Sequence, residues 1–155
     1  MNTNEKLHQY AYDNNVNVHN FYLGEENLKG LYIDGNIAIN TSVSTSAEES
    51  CVIVEELGHH FTSVGDVLDP NDLQARKQEQ KARLWGYNKL IGLSGLIRAF
   101  EHGCKNKHDI AEFLDVTEEF LEDAIKCYTQ KYGTYANVDN YFIMFIPYLA
   151  VMKRI

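Results

Sequence analysis

The chain has 155 residues, 45% hydrophobic and 23% charged, with two prolines and ten glycines, values of an ordinary globular protein and not of a disordered or fibrous one. Its net charge of −8, from 22 acidic and 14 basic residues, argues against non-specific binding to nucleic acid or to anionic membranes, both of which need a basic surface. Cys51, Cys104 and Cys127 make an odd set without a C-x-x-C pair, which fits reduced thiols and a cytoplasmic setting better than a disulfide framework.

The length suits a single domain over residues 1–155, and no linker, internal repeat or low-complexity segment divides it. The polar opening Met1–Lys6 is not that of a signal peptide. The longest apolar run, Tyr141 to Met152, is too short to span a bilayer and is broken by Pro147. A cytoplasmic domain with no membrane partner is expected.

In chain order, residues 4–13 read as an amphipathic helix carrying Leu7, Tyr10 and Ala11. Val16–His19 alternates as a strand does, and the strand continues through Phe21–Leu23. Lys29–Ile33 and Asn36–Asn40 flank Asp34-Gly35, a hairpin signal, so a small antiparallel sheet precedes the central helix. Ser46 with Glu49 fits a capping box that starts this helix near Ala47, and Gly65 marks its end. Asp69-Pro70 opens a second helix, Asn71 to Leu90, polar until Ala82 and apolar from Leu84. Gly92 and Gly95 bracket a break, after which Leu96–Phe100 is a short helix closed by Gly103.

His108–Leu114, a turn at Asp115 and Thr117–Tyr132 form a helical hairpin within 106–132, at the spacing of a helix-turn-helix. Its second helix carries Glu118, Glu119, Glu122 and Asp123, which would repel phosphate, so direct nucleic-acid contact is not expected. Tyr135–Met144 reads as a closing strand, and the tail from Met152 carries no signal.

The chemistry concentrates in Cys51-Val52-Ile53-Val54-Glu55-Glu56-Leu57-Gly58-His59-His60. Residues four apart share a helix face, which places Glu55 with His59 and Glu56 with His60. The spacing is that of the His-Glu-x-x-His helix of zinc peptidases, where two ligands four apart hold the metal and the glutamate beside the first is the base. Glu55 stands where the first histidine would be. In that frame Glu55 and His59 are helical ligands and Glu56 is the base. A third ligand must come from elsewhere, and Glu79, one turn before the second helix turns apolar, is the choice. Oxygen donors would also suit a harder divalent metal than zinc. Gly58 costs about 1 kcal/mol in a helix and marks a close approach of a neighbouring element.

Each residue also has a plainer reading. Adjacent glutamates on a helix are ordinarily a solvated face, and a histidine pair is as often structural. Asp66 is a competing carboxylate or a turn residue. His60 permits a shifted frame with Glu56, which then lacks a base beside the first ligand; spacing alone does not decide between the frames.

The order of these pieces resembles the ImmA/IrrE family of metallo-endopeptidases, in its short phage and mobile-element form. The resemblance spans roughly residues 20–130. It rests on Gly30-Leu31-Tyr32 with Asn36–Asn40, on the helix Cys51–His60, and on Arg76-Lys77-Gln78-Glu79-Gln80-Lys81-Ala82-Arg83-Leu84-Trp85. The family pattern is a His-Glu-Leu-Gly-His helix followed by a Glu-x-x-Ala helix. By position Glu56 matches the catalytic glutamate, His59 the second metal histidine and Glu79 the acidic ligand, while Glu55 departs from the first histidine. The resemblance implies an α+β fold, a small antiparallel sheet packed on a zincin-like helical core with a C-terminal helical hairpin. It implies a zinc-dependent endopeptidase that cleaves a phage or mobile-element repressor. The alternative is a catalytically impaired relative that binds a repressor without cutting it.

Overall fold

In the computed structural model, residues 1–24, 28–62 and 73–155 are described. The expected helix end at Gly65, the helix start from Asp69-Pro70 to Asn71, and Asp66 all lie outside the described residues. Two compact units emerge, Met1–Gly86 and Tyr87–Ile155. No described helix is long and apolar enough to cross a membrane.

The first unit opens with α1, Thr3–Asp13, capped by the Asn2 side chain accepting from the Glu5 N–H at 2.8 Å. Leu7 and Ala11, four apart, are its buried face. Strands β1 (Asn17–Phe21), β2 (Gly30–Ile33) and β3 (Asn36–Asn40) form a sheet in the order β1-β3-β2. The β2–β3 hairpin is antiparallel as its Asp34-Gly35 turn requires, with φ of 51° and 79° at those residues. The β1 strand instead runs parallel to β3, so the sheet is mixed. Asn40, fully buried at the end of β3, accepts from the Leu23 N–H and donates to the carbonyls of Gly24 and Leu28, which pins the approach to β2.

Helix α2 covers Ser46–Thr62. Its cap lies one residue before the expected one: Thr45 Oγ1 accepts from the Glu48 N–H at 3.1 Å, and the Thr45 carbonyl accepts from Glu49 N–H. The physical reason is tertiary. Glu49 is engaged by α1, with Asn4 Nδ2 at 2.8 Å and His8 Nε2 at 3.5 Å, and so does not turn back to close a box. Val52, Ile53, Val54, Leu57 and Gly58 are buried, and α2 packs on β2, β3 and α1. Helix α3 is Leu73–Leu90. Within the first unit its backbone meets α2 closely at two glycines. A Cβ on Gly58 would lie 2.2 Å from the Ala82 carbonyl oxygen, and one on Gly86 would lie 3.2 Å from that of Val54. The close approach expected at Gly58 is there.

In the second unit, α4 spans Gly92–His102, a full turn longer at its start than expected, with Gly95 buried inside it and Gly103 in the left-handed conformation at its end. Helices α5 (Lys107–Leu114) and α6 (Glu118–Tyr132) are the expected hairpin, capped by Asn106 and Thr117, with Asp115 left-handed between them. Ala111, Leu114, Val116, Phe120 and Leu121 are buried at its centre; Ile110 is half-buried. The stretch read as one closing strand is two, β4 (Tyr135–Val138) and β5 (Tyr141–Met144), turning at Asp139. The tail adds β6 (Ala150–Lys153), antiparallel to β5. Buried Tyr128 ties the unit together, its hydroxyl accepting from the Gly92 N–H and donating to Asn88.

Candidate active site

Glu55, Glu56, His59 and His60 occupy the last turns of α2, all half-buried, beside a core-facing stripe that fixes the helix's rotation. Glu56 and His60, one turn apart, lie under β2. Gly30 sits over Glu56, so closely that a Cβ there would fall 3.3 Å from the glutamate side chain. Tyr32, two residues on and so on the same strand face, bonds His60 Nδ1 through its hydroxyl at 2.6 Å.

The other row turns to α3. His59 Nε2 and Glu79 Oε2 are 3.1 Å apart, and Glu79 Oε1 accepts from Arg83 Nε at 3.1 Å. The hydrogen bond to Glu79 raises the His59 pKa above its usual 6.5, and the charges of Glu79, Glu56 and Glu55 add to it against burial. Glu79 is correspondingly lowered, first by the His59 bond and with help from Arg83. Glu56 is raised from 4.5 to about 7, chiefly by burial, with His59 opposing and Glu55 and Glu79 adding to the rise. Five ionisable groups thus share one field: a base-like carboxyl poised near neutrality beside an ion pair, with Glu55 and Arg83 flanking them.

Of the sequence-predicted residues, the fold brings Glu55, Glu56, His59 and Glu79 into one electrostatic cluster. Sequence reasoning missed two partners. Arg83 was findable, being four residues past Glu79 on one helix. Tyr32 was not, because nothing in a strand's sequence says which helix turn it will cover.

The sequence profile of the IrrE N-terminal-like domain, Peptidase_M78, matches residues 11–126. The chain belongs to this family. No curated protein and no solved structure gives a significant match.

Membership in the IrrE N-terminal-like family makes the function metallopeptidase-like, which poses the question of metal directly. A catalytic zinc has three protein ligands with bonds to nitrogen and oxygen of about 2.0–2.2 Å, so two ligand atoms on one tetrahedral ion are roughly 3.3 Å apart. The 3.1 Å between His59 Nε2 and Glu79 Oε2 suits such a pair. It suits a direct hydrogen bond equally well. Among the described residues no three His, Cys, Asp or Glu side chains come together as a group able to hold an ion. Glu55 is near enough to influence both Glu56 and His59 electrostatically. His59 and Glu79 thus stand at a separation that one ion could bridge, and the described residues supply no third donor grouped with them.

Proposed function

We propose that the protein is a metallo-endopeptidase of the IrrE type that acts in the cytoplasm on a repressor-type DNA-binding protein, relieving repression of a phage or mobile element, with Glu56 as general base. The observation that carries this reading is the Glu56 carboxyl half-buried under Gly30, in surroundings that raise it to about 7. A general base works best with a pKa near the operating pH, where it is both deprotonated in good part and basic enough to take a proton. At Gly30 the absence of a side chain leaves helix and strand in direct contact. The residues proposed to hold zinc, or a harder divalent metal, are Glu55, His59 and Glu79. When bound, the metal would supply Lewis-acid polarisation. The net charge of −8 complements a basic, DNA-binding substrate and would speed its capture.

A second reading, a family member that binds a repressor without cutting it, is favoured by a separate observation. Glu55 replaces the first histidine, and the described residues form no three-donor group.

Elemental analysis of the purified protein, wild type and His59→Ala, together with incubation with a phage repressor of the DNA-binding type, separates the two. Near-stoichiometric metal lost in His59→Ala, with cleavage abolished by Glu56→Gln while repressor binding persists, supports the peptidase. Absence of metal after incubation with zinc, together with stable binding of an intact repressor, establishes the binding protein instead.

A further inference from the structure

The Tyr32 hydroxyl accepts a hydrogen bond from the Gly35 N–H at 3.0 Å and lies 2.6 Å from His60 Nδ1. A phenol oxygen that accepts from the Gly35 N–H still has its own proton to give, and Nδ1 is the acceptor it faces, which favours the neutral ring with Nδ1 accepting. With Nδ1 an acceptor, the ring proton resides on Nε2 at the opposite edge. The ring is further held edge-on by Tyr32, with centroids 5.5 Å apart, and by Phe61 at 4.8 Å. Among the described residues Nε2 has no hydrogen-bond partner.

We propose that His60 is a substrate-contacting hydrogen-bond donor, its Nε2–H meeting a backbone carbonyl of the bound polypeptide, and that Tyr32 is its positioning residue. Placement supports the role. His60 is one helical turn from Glu56 on the face that β2 covers, and Gly30 and Tyr32 on that strand stand over the two in register. A donor with no partner among the described residues, held by a hairpin turn through Tyr32 and Gly35, is preorganised for an acceptor that arrives from outside. On an approaching polypeptide those acceptors are its carbonyl oxygens. The inference rests on the reading of this helix as a polypeptide site, but not on cleavage.

The test uses the full chain labelled with nitrogen-15 at histidine, and blocked tetra-alanine as the backbone probe. The wild type is expected to carry its His60 proton on Nε2, and Tyr32→Phe to populate both tautomers. Titration with the peptide is expected to shift the Nε2–H resonance saturably. Affinity for the peptide should fall about fivefold in His60→Leu, the value of one neutral hydrogen bond, and stay near wild type in His60→Gln, which keeps an N–H donor. A proton on Nδ1 in the wild type overturns the proposal, as does an Nε2–H resonance that the peptide leaves unmoved. A protein that passes this test yet leaves its repressor intact retains the donor and loses only the cleavage reading.

Discussion

His59 Nε2 and Glu79 Oε2 meet at 3.1 Å, joining α2 to α3 by an ion pair that shifts both partners in the direction of charge. His59 is raised above 6.5, so the stability its proton brings is full below pH 6.5 and is lost as pH rises through the folded value. Glu79 is lowered below 4.5, so its contribution is full above pH 4.5 and is lost as pH falls through the folded value. The pair therefore contributes most between 4.5 and 6.5. Glu79→Gln is expected to bring the His59 titration midpoint down and to flatten stability across that window, as read by NMR titration and by thermal melts over pH. An unchanged His59 midpoint would remove the pair from the account.

Glu56 has the opposite consequence for a carboxyl. Raised from 4.5 to about 7 chiefly by burial, it favours the proton-bound fold; that stability is full below pH 4.5 and lost as pH rises through 7. Glu56→Gln removes the buried charge and should melt higher than wild type at about pH 8, by at most roughly 3 kcal/mol, and nearly with it at about pH 4. Equal melting at both values would mean that Glu56 is solvated in the native state.

What could be read from sequence was what spacing along one helix determines. The Glu55–His59 and Glu56–His60 rows, the Gly58 approach and the α5–α6 hairpin all follow from periodicity and local chemistry. Placing Glu79 near His59 took one further step, the change from polar to apolar character after Ala82. The misses depended on partners distant in the chain. The β1 strand runs parallel to β3, β6 pairs with β5, and Tyr32 reaches a histidine 28 residues away. Alternation reveals a strand but not its neighbour or its direction.

The cap of α2 shows the same limit and can be measured. Thr45 Oγ1 accepts from the Glu48 N–H, while Glu49 belongs to Asn4 and His8 of α1. Thr45→Ala should cost about 1 kcal/mol, the usual value of an N-cap, whereas Ser46→Ala should cost a few tenths at most. Urea denaturation of the two variants checks this. The reverse order would return the cap to Ser46.

Gly58→Ala is the most disruptive small change expected in the first unit. The added Cβ would stand 2.2 Å from the Ala82 carbonyl oxygen and 2.8 Å from its carbon, both backbone atoms that cannot rotate away. Alanine is the better helix former by about 1 kcal/mol, but overpacking of this kind costs typically 1–3 kcal/mol and here falls at the upper end, because α3 itself must move. Glu79 lies one turn before Ala82 on that helix, so the displacement carries its carboxylate off His59. Two readouts should therefore change together: the urea midpoint falls, and the His59 titration midpoint drops toward 6.5, as in Glu79→Gln. Gly103→Ala is the control. That glycine is left-handed at φ 96° with nothing within 4 Å of an added Cβ, so it should lose stability through backbone strain while leaving the His59 titration where it was. If Gly58→Ala lowered stability without moving His59, the helix contact and the ion pair would be independent, and α3 would not be what holds Glu79 at the site.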